Sequence, residues 1–138
     1  VMSNQSGILY AFVNIGLGPD GGASWLLARQ VGYSRALEIA TSGKKVTGQR
    51  CLELGLTNHI VPQDELLSYA QAWAEDLAQR PTLAIGIAKE DIFFAMDHSL
   101  NETIAFEAKK QIDALKSHDL KEGVAAFIEK RKPNFSGK

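Results

Sequence analysis

The residue best placed to do chemistry in this chain is Asp20. It stands in the stretch 15–31, where Gly16, Gly18, Gly21 and Gly22 form a glycine-rich turn that runs into an apolar helix. The glycines let the backbone turn and approach closely where a Cβ would clash. Pro19 fixes one φ angle just before the acid. A stiff bend can hold a carboxylate ready to take or return a proton, and Trp25, one turn further on, is the aromatic that would line a substrate cavity. The same residue type at a helix start is also a common N-cap, accepting a backbone N–H and favoured by the helix dipole. The residues by themselves leave both roles open. Gly16 and Gly18 lack the spacing of a dinucleotide fingerprint, and no Gly-Lys-Ser/Thr of a P-loop follows.

The other reactive side chains are less organised. His59, His98 and His118 include no pair at the i,i+4 spacing of a helical metal site. No serine sits in a nucleophile-elbow pattern. Cys51, the single cysteine, excludes an intrachain disulfide and reads as a small buried residue. Lys130, Arg131 and Lys132 form the one dense positive patch. It suits a helix C-terminus, where cations complement the dipole, or alternatively a phosphate.

Composition narrows the classes. The 138 residues are 45% hydrophobic, enough for one modest core. With 15 basic and 16 acidic residues, no net field steers the chain to nucleic acid or a membrane surface. No apolar run reaches the length of a membrane span, and no signal peptide is visible. A reducing, cytoplasmic location is the expectation.

The elements that must position these residues follow from periodicity and caps. Residues 1–8 are polar and patternless, 9–11 suit a short strand, and Phe12, Val13 and Ile15 form an apolar patch. Helix one is expected from near Gly22 to Gln30, burying Leu26, Leu27 and Val31. Ser34 would cap a second helix over 35–41 with Ala36, Leu37 and Ala40 inward. A short extended piece, 44–46, leads to Thr47 as cap of a helix that ends at Gly55. Residues 59–61 suit a strand. From Pro62 a long helix carries Leu66, Ala70, Trp73 and Leu77 on one face until Pro81 stops it. Thr82 would cap the next helix, with Ile85, Ala88, Ile92 and Met96 on one face. Ser99 with Glu102 forms a capping box, and Asp119 with Glu122 resembles one. Leu100, Ile104, Ala108 and Ile112 would line the first of these helices, and Leu120, Val124, Phe127 and Ile128 the second. The tail 134–138 is expected to fray.

Several motifs together resemble the enoyl-CoA hydratase/isomerase (crotonase) superfamily. They are Ala11-Phe12, Ile15-Gly16-Leu17-x-Pro19-Asp20-x-Gly22, Leu26-x-x-Arg29-x-x-Gly32 and Thr41-x-x-Lys44-x-x-Thr47. Gly55-Leu56 and the terminal run Glu122-Gly123-x-x-Ala126-Phe127-x-x-Lys130-Arg131-x-Pro133-x-Phe135 continue the match in the usual order. The Pro19-Asp20 pair most resembles the isomerase-like branch, which includes phenylacetate-pathway epoxyacyl-CoA isomerases.

That resemblance implies a fold and a site. The fold is mainly α with short strands: the C-terminal half of a crotonase-like α/β spiral over 1–62, and a helical oligomerisation region over 63–138. The absent first half would carry most of the spiral and both N–H donors of an oxyanion hole, so the chain is expected to be one piece of a larger protein. Hydratases use two glutamates. One lies in that half, and the other would fall at Phe12, which argues against two-glutamate water addition. Asp20 matches the acid of related isomerases, moving a proton while a thioester enolate is stabilised. Pro19, Gly21, Gly22 and Trp25 would border the acyl slot. Phe127 would pack near the acyl or pantetheine path, and Lys130 would meet the phosphate or adenosine of coenzyme A, often in a neighbouring subunit. The implied substrate is an acyl-CoA thioester, with no permanent cofactor or metal, in a homotrimer or hexamer. A non-catalytic self-associating or CoA-binding scaffold is the alternative.

Overall fold

The computed structural model describes residues 1–138. Its elements are mostly helices with four short strands, so the mainly α expectation holds. Two units can be separated, Val1–Gln71 and Ala72–Lys138, the division falling inside one helix.

In the first unit, β1 (Met2–Ser3) pairs parallel to β4 (Ile60–Val61), with Ser3 opposite Val61. Strand β2 (Gly7–Leu9) pairs antiparallel to β3 (Lys45–Thr47), with Ile8 opposite Val46. The polar start of the chain is therefore ordered, contrary to its patternless sequence. Its backbone finds partners that no periodicity announces: the Met2 N–H donates to the His59 carbonyl at 3.0 Å and the Asn4 N–H to the Val61 carbonyl at 2.9 Å. The strand expected at 9–11 lies earlier, and Phe12–Ile15 is a 3₁₀ turn.

Helices α1 (Ala23–Val31) and α2 (Tyr33–Ser42) pack on each other. Leu27, Val31, Ala36, Ile39 and Leu54 make the core, with Tyr10, Ala28, Val46 and Leu56 against it. Leu26 is 54% exposed and Leu37 is exposed too, so both expected inward positions are corrected. On each helix the buried stripe follows a single 3.6-residue face, Leu27 with Val31 and Ala36 with Ile39. Gly32, not Ser34, occupies the N-cap of α2.

Helix α3 (Gly48–Glu53) starts as its sequence indicates, the Thr47 hydroxyl accepting the Arg50 N–H at 3.2 Å. It ends in a Schellman pattern. The Leu56 N–H donates to the Cys51 carbonyl at 2.8 Å and the Gly55 N–H to the Leu52 carbonyl at 3.1 Å, with Gly55 at φ +72°. Cys51 is fully buried, and burial pushes its thiol up.

After a 3₁₀ turn at Gln63–Glu65, α4 (Leu66–Ala78) crosses from one unit to the other. The second unit continues with α5 (Thr82–Ala95), α6 (Leu100–Lys116) and α7 (His118–Glu129). Helices α5 and α6 are joined by stacked Phe94 and Phe106 rings, 4.1 Å between centroids, and by the Glu90–Lys110 ion pair. The capping box of α6 is complete: Ser99 and Glu102 each satisfy the other's backbone N–H. Two expected caps are corrected. Pro81 precedes α5, and Thr82 makes no cap bond. Ser117 caps α7 by accepting the Leu120 N–H at 3.0 Å, while Asp119 lies inside the helix.

The apolar faces read as core in this unit are largely uncovered. Ile92 is 69% and Ile128 74% exposed, and Leu100, Ile104, Ile112, Val124 and Phe93 are exposed as well. No helix is long and apolar enough to cross a membrane.

Candidate active site

The bend that carries Asp20 is built from two backbone turns. At its entry Gly16 closes the 3₁₀ turn in a left-handed conformation, and the Leu17 N–H donates to the Phe12 carbonyl at 2.9 Å. At its exit Gly21 and Gly22 take φ +60° and +83°, two successive left-handed positions that a side chain would strain. The Ala23 N–H then donates to the Asp20 main-chain carbonyl at 2.9 Å, and α1 begins. No heavy atom lies within 4 Å of where a Cβ would stand at Gly16, Gly18, Gly21 or Gly22. These glycines serve the turn and leave open space; the close backbone approach expected of them is absent.

Asp20 is not the N-cap of α1. Gly22 holds that place and no side chain caps the helix. The Asp20 carboxylate is exposed and has neither a hydrogen bond nor an ion pair. Pro19 beside it is half-buried. Trp25 is half-buried too, and the Arg29 guanidinium carbon sits 3.7 Å from its ring centroid, covering one indole face. Pro19, Asp20, Gly21, Gly22 and Trp25 thus share one bend and the first turn of one helix. A free carboxylate on such a bend can accept or donate a proton to a molecule placed against it.

Phe127 and Lys130 belong to the second unit, at the end of α7. Phe127 is 85% exposed. Beside it is an apolar groove of about 420 Å³, lined by Leu83, Leu115, Leu120, Val124 and Phe135 among others. Lys130 caps α7 in the left-handed conformation, φ 55°, the one non-glycine residue with positive φ. Its own N–H reaches the Phe127 carbonyl at 3.3 Å, and the Arg131 N–H reaches that of Ala126 at 3.0 Å.

The tail is not frayed. Asp119, only 3% exposed, accepts the Ser136 N–H at 2.7 Å, the Ser136 hydroxyl at 3.1 Å and the Gly137 N–H at 2.8 Å. These bonds, the Ser136 N–H foremost, hold its carboxyl below the usual range. Glu122 accepts two guanidinium bonds from Arg131 and the Asn134 N–H at 2.7 Å. Its carboxyl is lowered to about 2, chiefly by Arg131. The Asp-x-x-Glu spacing was the visible signal; read as a cap, it hides a clamp on residues 134–137.

Two of the three histidines lie against aromatic rings. His98 Nδ1 lies 2.7 Å from the Phe94 carbonyl with its ring stacked on Phe94, and the His59 and Tyr69 rings are 5.5 Å apart. No group of His, Cys, Asp and Glu could hold a metal ion.

Residues 1–138 match the profile of the Enoyl-CoA hydratase/isomerase family. The 1,2-epoxyphenylacetyl-CoA isomerase of Escherichia coli (strain K12) is 35% identical over 138 residues, 100% of this chain and 53% of that protein. The trans-2-decenoyl-(acyl-carrier-protein) isomerase of Streptococcus mutans serotype c is 30% identical over 138 residues, 52% of its length. The crystal structure of an enoyl-CoA hydratase from Polaromonas sp. JS666 superposes with a TM-score of 0.91 at 32% identity, over 99% of this chain and 53% of that one. The chain spans about half the length of the curated relatives it matches.

Proposed function

Because this chain belongs to the enoyl-CoA hydratase/isomerase family, we propose that Asp20 is the acid/base of an acyl-CoA double-bond isomerase. The observation that carries this reading is the Asp20 carboxylate itself, exposed and unpartnered on a stiff bend with open space over Gly21 and Gly22. Phe12, at a position where a hydratase would carry a glutamate, supports the isomerase-like branch over hydration; the Escherichia coli isomerase and probable enoyl-CoA hydratases are similar to this chain at like identity.

Asp20 would remove a proton from a carbon next to the conjugated thioester. The electron pair left behind spreads onto the thioester oxygen, and the conjugate acid of Asp20 returns the proton to the other end of the system. One carboxylate suffices, because the proton taken is the proton given back. The enolate oxygen needs hydrogen-bond donors aimed at it. We assign those donors to polypeptide outside residues 1–138, so this span alone would not turn over substrate. Pro19, Gly21, Gly22 and Trp25 border the acyl chain, and Phe127 with Lys130 meets the coenzyme A portion.

The test is Asp20→Asn in the intact gene product, assayed for isomerisation of enoyl-CoA thioesters. The expected outcome is a fall in kcat of about 10²–10⁴ with KM little changed. Unchanged turnover sinks the assignment, and normal turnover by residues 1–138 alone sinks the placement of the donors.

A second reading has its own support. The exposed apolar faces of α5, α6 and α7 suit burial against further copies, as a trimer or hexamer, with or without catalysis. A monomeric mass by light scattering would count against it.

A further inference from the structure

In the first unit, α2, β3 and α3 enclose a cavity of about 360 Å³ that the reading above does not use. Four of the chain's 15 cationic residues stand on it, Arg35, Lys44, Lys45 and Arg50, against one carboxylate, Glu38. The chain as a whole has a net charge of −1, so four cations against one carboxylate depart locally from its overall balance. Arg50 is already paired with Glu53 at 2.8 Å, and Lys45 donates to the Gln5 carbonyl at 3.2 Å. Arg35 and Lys44 have no side-chain hydrogen bond and no ion pair. Uncompensated like charges around one concavity focus a positive potential into it.

The frame around them is fixed. The Asn14 amide donates to the Gly43 carbonyl at 2.9 Å, just where α2 ends. The Lys44 N–H donates to the Ser42 hydroxyl oxygen at 3.3 Å, and β3 is held along its length by β2. Thr47 spends its oxygen on the Arg50 N–H, which leaves its hydroxyl hydrogen to donate. The floor is apolar: Ile39 and Leu54 from the core, with Val46 beside them.

We propose that this cavity binds a small organic phosphate, gripped by Arg35 and Lys44, with its carbon portion resting on Ile39, Val46 and Leu54. A guanidinium offers a planar fork to phosphate oxygens, and a lysine adds a point charge. The Thr47 hydroxyl donates a third bond. The site stands independently of Asp20, and its failure would leave that reading untouched.

The test uses two probes, ADP and inorganic pyrophosphate, titrated calorimetrically into the protein. Backbone amide shifts of Gly43 and Gly48 serve as local reporters. Saturable ADP-dependent shifts in the α2–β3–α3 region with Kd below about 1 mM are expected, followed separately from any shifts at the end of α7, where Lys130 would meet the adenosine phosphate of coenzyme A. The double variant Arg35→Gln/Lys44→Gln should weaken ADP binding in the α2–β3–α3 region at least about tenfold, while Lys89→Gln/Lys109→Gln leaves it unchanged. Both positions in the first variant are exposed, and an unchanged circular dichroism spectrum verifies its fold. Absence of saturable shifts at Gly43 and Gly48, or equal loss of those shifts in both double variants, overturns the site. Pyrophosphate binding as tight as ADP overturns the role of the apolar floor.

Discussion

Arg131 closes on Glu122 with two nitrogens, Nη1 to Oε1 at 2.6 Å and Nη2 to Oε2 at 3.0 Å. The pair spans the end of α7, and the same carboxylate accepts the Asn134 N–H as the chain turns back. Its folded-state value of about 2 lies below its ordinary 4.5. A carboxyl lowered by folding contributes stability above its unfolded value and loses it as pH falls through the folded one. Denaturation midpoints should therefore drop between pH 4.5 and about 2, and Glu122→Gln should lower the midpoint at pH 7 and flatten that slope. A slope identical in the variant would show that other carboxylates carry the acid sensitivity.

The Asp119 clamp makes a separate, local prediction. Three donors converge on one buried carboxylate, and an amide in its place would turn an NH₂ toward at least one of them. Asp119→Asn should release residues 136–138 without melting α7, whose N-cap is Ser117, while Glu122 keeps the Asn134 N–H. Hydrogen exchange at the Ser136 and Gly137 amides should accelerate at least about tenfold, with the α7 interior unchanged. Equal protection in the variant would mean that packing of Phe135 against Gly123, and not the carboxylate, holds the tail.

Neighbouring leucines on α1 divide the core from the surface. Leu27 is 3% exposed within the cluster of Val31, Ala36, Ile39 and Leu54, whereas Leu26 is more than half exposed. Leu27→Ala should cost about 2–5 kcal/mol in urea denaturation. Leu26→Ala should change stability by less than about 1 kcal/mol. A large loss at Leu26 would mean that its surface is covered in solution.

What could be read from residues alone follows the range of the forces involved. Thr47, the Ser99–Glu102 box and Gly55 are right because a cap is settled within three or four residues. Asp119 misleads because its type fits a cap two residues from Ser117, while its bonds go to residues 17 and 18 positions away. Met2 and Ser3 pair with Ile60 and Val61, a contact no local pattern encodes. The stripes on α5 to α7 were correctly apolar, but periodicity says which side is greasy and not what covers it. The Asp20 bend shows the same limit. Its glycines announce a turn, yet a carboxylate at a helix start reads equally as a cap, and only the backbone places Gly22 in that role.

Lys130 is the residue whose conformation and chemistry make opposite demands. A left-handed φ at a helix C-cap favours glycine, and a side chain there costs about 1 kcal/mol. Lys130→Gly should therefore raise the unfolding free energy by up to about 1 kcal/mol. If Lys130 meets the phosphate end of an acyl-CoA, as proposed, the same change in the intact gene product should raise KM several-fold and leave kcat nearly unchanged, because the contact is made equally in ground and transition states. Lys130→Arg keeps the charge and the strain, and should restore KM while losing the stability gain. A Lys130→Gly protein that is more stable with an unaltered KM would remove Lys130 from the substrate site and leave it as a helix terminus only.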